Sequence, residues 1–189
     1  MTSLETERLI LRHTDLFDAE AVFRSWANNP ETYRFLAPYY CDGTDTAHNW
    51  IDETLRDFHE AKPDSWELFA LELKSSNEII GIFELTDIDR EVRAAGVGYH
   101  LGKKWWGNGY AAEALRALLK HCFENEGFNR VCANYDPRNP NSGKVMQKAG
   151  MVYEGTFRQC EIRRGELVDR VYYAMLKEDW DKCPGDNKG

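Results

Sequence analysis

Val97, Tyr99 and Leu101 alternate with Gly98 and His100, a period of two that predicts a short strand. Beyond it Ala111, Leu115, Leu118, Leu119 and Cys122 recur at the spacing of one helical face, and Gly127 supplies a stop. Between them lies Trp105-Trp106-Gly107-Asn108-Gly109-Tyr110, so the pattern is strand, glycine-bearing loop, helix. Upstream, Leu9-Ile10-Leu11 predicts a first strand. Thr14 or Asp15 then caps a helix carrying Val22, Phe23 and Trp26, which Asn28-Asn29-Pro30 ends. A second helix from near Thr44 uses Ala47, Trp50, Ile51, Leu55 and Phe58 and closes before Pro63. Residues 66–73 and 79–85 form antiparallel strands about Ser75-Ser76-Asn77, and 87–93 is a polar connection.

After the central helix, 130–135 is a strand parallel to 97–101, because a helical crossover joins the two. Ser142 caps a short helix with Val145, Met146 and Ala149 inward and Gly150 at its end. A final hairpin, 152–162 and 167–176, turns around Arg163-Arg164-Gly165-Glu166. The order β-α-α-β-β-β-α-β-α-β-β describes an α+β fold: a mixed, mostly antiparallel seven-stranded sheet with one parallel pair and flanking helices.

The loop carries the first chemical inference. The opening turn of a helix has backbone N–H groups without partners and a partial positive charge, and Gly107 and Gly109 have no β-carbons to keep a bulky anion away. A phosphate or pyrophosphate is the expected guest. The composition fits one folded domain over 1–183, with 184–189 a flexible tail. With 24 basic and 32 acidic residues the net charge is −8, which argues against nucleic acid as a partner. That balance suits a cationic acceptor, or serves solubility alone. Five scattered cysteines and His48, His59, His100 and His121 show no metal-like grouping, so no metal is expected. The charged opening and the lack of a long apolar run predict a cytoplasmic protein with no membrane partner, monomer or homodimer.

Gly107-Asn108-Gly109-Tyr110-Ala111-Ala112 also satisfies the dinucleotide fingerprint G-x-G-x-x-[GA]. Residues 102–106 separate the strand from the first glycine, no acidic residue stands at the usual distance, and the chain ends in a hairpin instead of further βα units. No G-x-x-x-x-G-K-[ST] occurs either. The whole chain instead resembles the GCN5-related N-acetyltransferases, closest to their ribosomal-protein N-terminal branch. The likeness rests on Glu7-Arg8-Leu9-Ile10-Leu11-Arg12, Ile80-Gly81, Gly98-Tyr99-His100-Leu101, the stretch from Trp106 to Ala114, and Asn139-Pro140-Asn141-Ser142-Gly143 running on to Met151.

The resemblance implies acetyl-CoA as donor and a primary amine as acceptor, either a protein N-terminus, slightly favoured, or a small amine such as a polyamine, amino acid or aminoglycoside. By position it places the pyrophosphate on Trp106, Gly107, Asn108, Gly109, Tyr110, Ala111 and Ala112. The pantetheine would pair with the backbone of Tyr99, His100 and Leu101 where the parallel strands splay, with a strand N–H polarising the thioester. Asn139 would bond the pantetheine amides and Lys144 could meet a phosphate. Ser142 matches a hydroxyl near the leaving sulfur, unless it is only a cap. Glu161 matches the branch's proposed base, with Glu84 or water as alternatives, and both carboxylates could equally be solvent-facing strand residues. Many relatives carry another carboxylate at the position of Gly96. Its lack leaves a silent CoA-binding module as a rival reading. Trp26, Tyr33 and Tyr39, with Glu84, would border the acceptor.

Overall fold

The alternating stretches become one eight-stranded sheet in the computed structural model, which describes residues 3–27, 29, 31, 32, 34, 35, 44–61, 66–163 and 165–183. In chain order its strands are β1 (Leu4–Glu5), β2 (Leu9–His13), β3 (Glu67–Leu73), β4 (Glu78–Asp89), β5 (Ala94–Leu101), β6 (Arg130–Tyr135), β7 (Val152–Arg163) and β8 (Glu166–Leu176). Across the sheet they lie β1-β2-β3-β4-β5-β6-β8-β7, and β5–β6 is the parallel pair. The strand beyond the expected seven is β1, whose two residues pair with Ile10 and Leu11 and are too few to show a period. The expected connection over 87–93 is shorter: β4 runs on to Asp89, and residues 90–93 turn directly into β5.

Helices cover both faces and divide the core. On one face α3 (Tyr110–Glu124) and α4 (Pro140–Lys148) pack Leu115, Leu118, Leu119 and Met146 against Phe83, Val97, Val131 and Ala133. On the other, a broken helical segment and α2 (Thr44–Ala61) bring Val22, Trp26, Ile51 and Leu55 onto Leu68 and Ile82. That segment is a 3-10 turn Leu16–Asp18, α1 (Ala19–Val22) and a π-helical turn Phe23–Ala27. Asp15 is its cap, accepting from the Phe17 N–H (3.0 Å), while Asp18 accepts from the Asp15 N–H (2.6 Å). A terminal helix, α5 (Lys177–Lys182), was not expected; its buried Trp180 donates to Glu124 (3.0 Å).

The parallel pair parts soon after it forms. Ala94, Ala95 and Gly96 pair with Arg130, Val131 and Cys132, after which β5 and β6 run on unpaired with each other. The first turn of α4 sits over this opening, held by a tyrosine from each strand. The Tyr99 hydroxyl donates to the Ser142 carbonyl (2.9 Å), and the Tyr135 ring lies where a β-carbon on Gly143 would come within 2.6 Å. Gly102 N–H donates to Ile80 (3.0 Å), so antiparallel alternation turns the peptide groups of Val97, Tyr99 and Leu101 toward the gap and those of Gly98 and His100 toward β4. A free strand edge therefore faces an open slot.

Candidate active site

The slot widens into a cleft of about 1230 Å³ that reaches from the start of α3 to the β7–β8 hairpin. At its α3 end Gly107 and Gly109 adopt φ of 81° and 82°, conformations that cost an L-residue strain, and a β-carbon on Gly107 would meet open space. Gly109 is the N-cap of α3, and the first helical bond runs from Glu113 N–H to its carbonyl (3.1 Å). The N–H groups of Tyr110, Ala111 and Ala112 are then left for an anion at the cleft wall. Trp106, half-exposed, donates its indole N–H to the Leu101 carbonyl (2.8 Å) and so ties the loop to the end of β5. The Asn108 side chain donates to the carbonyls of Trp105 (3.1 Å) and Trp106 (3.2 Å), which makes it a staple of the loop and leaves its backbone for any contact with an anion.

Arg8, which periodicity could not single out, clamps this loop from the β1–β2 turn. Its guanidinium donates to the Asn108 carbonyl (3.1 Å) and to Glu113 (2.7 Å) and stacks 4.6 Å over the Tyr110 ring. Burial alone would raise the Glu113 carboxyl, but the Thr6 hydroxyl and Arg8 outweigh it and hold the group below its ordinary 4.5. The stabilisation this gives is complete above that value and disappears as pH falls through the lowered one. Arg8 also cancels a carboxylate that would repel a phosphate in the first turn. If the donor is acetyl-CoA, as the resemblance implies, Arg8→Met is therefore expected to raise its KM roughly fivefold or more with little change in kcat. An unchanged KM in an acetyl-CoA titration would show that the loop holds its own shape.

At the centre of the cleft the expected cap is corrected. Asn139 is the N-cap of α4 and Pro140 its first residue, while Ser142 lies inside the first turn. The Asn139 side-chain amide donates to the Ser142 hydroxyl (3.1 Å), so the two form one polar pair on the cleft wall. Burial pushes the Tyr99 hydroxyl well above its ordinary value, which keeps it a donor to α4. Exposed Lys144 lines the same wall.

The face toward α1 and α2 separates the two candidate carboxylates. Glu84 of β4 lies over Gly98, where a β-carbon would come within 2.4 Å of its carboxylate. His100 Nε2 is 3.6 Å away, and the Trp66 indole N–H donates to it at 3.4 Å. Burial pushes Glu84 up, but His100 and Trp66 together win and hold it lowered and ionised. At Gly96 a β-carbon would come within 2.7 Å of Thr86 Oγ1, so a side chain there would require Thr86 to move. The resemblance implies an acid at the position of Gly96; in this structure the carboxylate that lies over the neighbouring Gly98 comes from β4. Glu161 is differently placed, its carboxylate paired with Arg163 (2.5 Å) and Arg170 (3.4 Å). Trp26 is corrected as an acceptor contact, since it is fully buried and stacks on His100 at 5.0 Å. Tyr33 and Tyr39 lie outside the described residues, although Thr32 and Phe35 beside them line the cleft.

Comparison with known proteins agrees with this geometry. The family model described as "Acetyltransferase (GNAT) domain" matches residues 8–152. The uncharacterized N-acetyltransferase p20 of Bacillus licheniformis is 30% identical over 95% of this chain and 99% of its own length. The [ribosomal protein uS5]-alanine N-acetyltransferase of Escherichia coli is 28% identical, covering 94% of this chain and 92% of that protein. The crystal structure of a GNAT-family acetyltransferase from Bacillus anthracis superposes with a TM-score of 0.79 at 26% identity, over 94% of this chain and 99% of the other.

Proposed function

The chain belongs to the GNAT acetyltransferase family, acyl-CoA-dependent N-acetyltransferases, and from that premise we propose that it passes the acetyl group of acetyl-CoA directly to the amine of a protein N-terminus. One observation carries the chemical half of this reading: an ionised carboxylate, Glu84, sits beside the strand edge at which the parallel pair opens. The residues fit the donor. The N–H groups of 110–112 stand at the cleft wall, the Tyr99 peptide group and the Leu101 N–H offer an edge for an extended amide chain, and Asn139 and Ser142 line the same cleft. The Tyr99 N–H is aimed into the slot, where it can polarise a thioester carbonyl. Glu84 attracts the acceptor amine to the slot and takes the proton that the neutral amine sheds as its nitrogen bonds the thioester carbon; the C–S bond then breaks, and the coenzyme A thiolate leaves and takes a proton from solvent. Support for an N-terminal acceptor is the likeness to the uS5-alanine enzyme over nearly the full length of both chains.

Neither Cys132, which does not line the cleft, nor Cys160, which does, is placed to carry the acyl group. Burial raises the Cys132 thiol, and the Cys160 thiol is turned toward the Val168 carbonyl, at 3.9 Å. Cys132→Ala and Cys160→Ala are expected to keep kcat within about twofold in a free-thiol assay. Loss of turnover with acetyl-CoA binding intact would overturn direct transfer. The same assay over a panel of peptides, polyamines and aminoglycosides tests the acceptor, and binding of acetyl-CoA without turnover of any amine would favour the silent module.

A further inference from the structure

The cleft end beyond β6 carries a charge pattern that acetyl transfer itself does not require. Arg170 of β8 and Arg163 of β7 both line the cleft, and both side chains are largely shielded from solvent. Among the described residues one carboxylate, Glu161, pairs with the two of them. Arg163 Nε is buried with no hydrogen-bond partner among the described residues, and Arg170 Nε donates to Asn134 on β6 (2.7 Å), which leans that guanidinium back toward the gap. Burial, together with the neighbouring Arg163, pulls Arg170 below its ordinary value against the opposing pull of Glu161. Asp136 also acts on Arg170, but its carboxylate is held by Arg138, so Arg163 and Arg170 share Glu161 as their one direct ion-pair partner among the described residues. Phe157 and Tyr172, 4.6 Å apart, form the apolar wall beside it.

Register fixes how far this charge lies from the reacting amine. Glu84 is paired with Gly98, and Asn134 with Tyr172. Extending Gly96↔Cys132 by two residues sets Gly98 level with Asn134 across the gap, with Arg170 two residues beyond Tyr172 on β8. The Arg170 backbone is thus two strand spacings, about 10 Å, and an offset of two residues from β5 at Gly98, while its guanidinium, bonded to Asn134, reaches back over β6 toward the amine held between Glu84 and β5. A free amino acid carries its carboxylate at most about one residue length, roughly 3.5 Å, from its amine. The side chain of a second or third residue spans the distance.

We propose that Arg163 and Arg170 form a subsite for a carboxylate on the second or third residue of the acceptor, so that the enzyme selects acidic N-terminal sequences. This rests on the N-terminal reading above. It runs against the expectation of a cationic acceptor drawn from the net charge, because the local charge at this end of the cleft has the opposite sign. Glu161 is then a positioning residue that holds both guanidiniums and competes with the incoming carboxylate.

The test compares kcat/KM, by thiol release from acetyl-CoA, for two peptides that differ only as Ser-Asp-Ala and Ser-Asn-Ala at the N-terminus, with spermidine alongside. The wild-type enzyme is expected to prefer the aspartate peptide by about tenfold or more, as a charge-assisted pair allows. Arg163→Gln with Arg170→Gln brings that ratio to near one, and Glu161→Gln raises it, a direction that a merely structural role would not produce. The wild-type ratio and the Glu161→Gln ratio are both read without the arginine variants, so misfolding of the double variant cannot shield the proposal. Both peptides turning over at equal rates overturns the subsite alone. Turnover of spermidine and of neither peptide overturns the N-terminal reading and the subsite together.

Discussion

Glu84→Gln is expected to lower kcat by about a hundredfold or more, the usual contribution of a positioned base, while the KM for acetyl-CoA stays within about threefold. The split follows from placement. Glu84 sits over Gly98 on the α1–α2 face, whereas the loop at 107–112 that would hold the diphosphate is anchored by Arg8 and Trp106. Glutamine keeps the shape and an acceptor for Trp66, so packing is largely preserved and the charge alone is lost. The pH dependence separates the carboxylate from the amine. His100 and Trp66 overcome burial to hold Glu84 below its ordinary 4.5, so it is already ionised throughout the neutral range. An α-amine, near 8, sheds its proton across that range, so activity should climb from about pH 6 to pH 8 in both enzymes, with the variant lower throughout. A carboxylate of low proton affinity suffices because the nitrogen becomes more acidic as its lone pair enters the new bond. Near-wild-type kcat in the variant would remove Glu84 from this role and return attention to Glu161.

That choice between carboxylates shows where reading the sequence stops. Both glutamates stand in strands of ordinary pattern, and nothing local distinguishes them. Glu161 meets its arginines because β7 bulges between Phe157 and Glu161, with Gln159 at φ 49°, and β8 brings Arg170 alongside. Glu84 meets His100 and Trp66 because three strands align. Strand-to-strand register is a long-range property, and a period of two does not carry it. The glycine loop, by contrast, was legible, because positive φ and unpartnered N–H groups are local facts written in Gly107 and Gly109. The start of α4 is legible too, in Pro140, which marks the first helical residue more sharply than a cap-forming serine two residues on. Trp26 misled in another way: an aromatic near an expected cleft can be the floor beneath the residue that faces it, as it is for His100.

Gly81→Ala tests the same long-range logic through stability. Ile80-Gly81 stood out in the sequence only as part of a resemblance, and the sheet supplies the physical reason. The β3–β4 register shifts between Leu71 and Glu72, leaving Ile80 as the additional residue of a bulge, and Gly81 follows it against β5. A β-carbon at Gly81 would come within 2.2 Å of the His100 carbonyl oxygen and 3.1 Å of the Leu101 Cα. Both are backbone atoms in the middle of the sheet, so no rotamer change relieves the contact and β4 must part from β5. Alanine there is expected to cost about 2–4 kcal/mol, which in a domain of this size lowers Tm by roughly 5–15 °C. Gly127→Ala is the matched control: its φ of 70° is strained for alanine, but a β-carbon there meets open space, and the loss should stay near 1 kcal/mol. The displaced peptide also carries the imidazole beside Glu84, so kcat at a temperature where the Gly81 variant is still folded should fall, and in the Gly127 variant it should not. Equal melting temperatures for the two variants would mean that the β4–β5 contact yields cheaply, and that the bulge, not the close approach, is what the glycine serves.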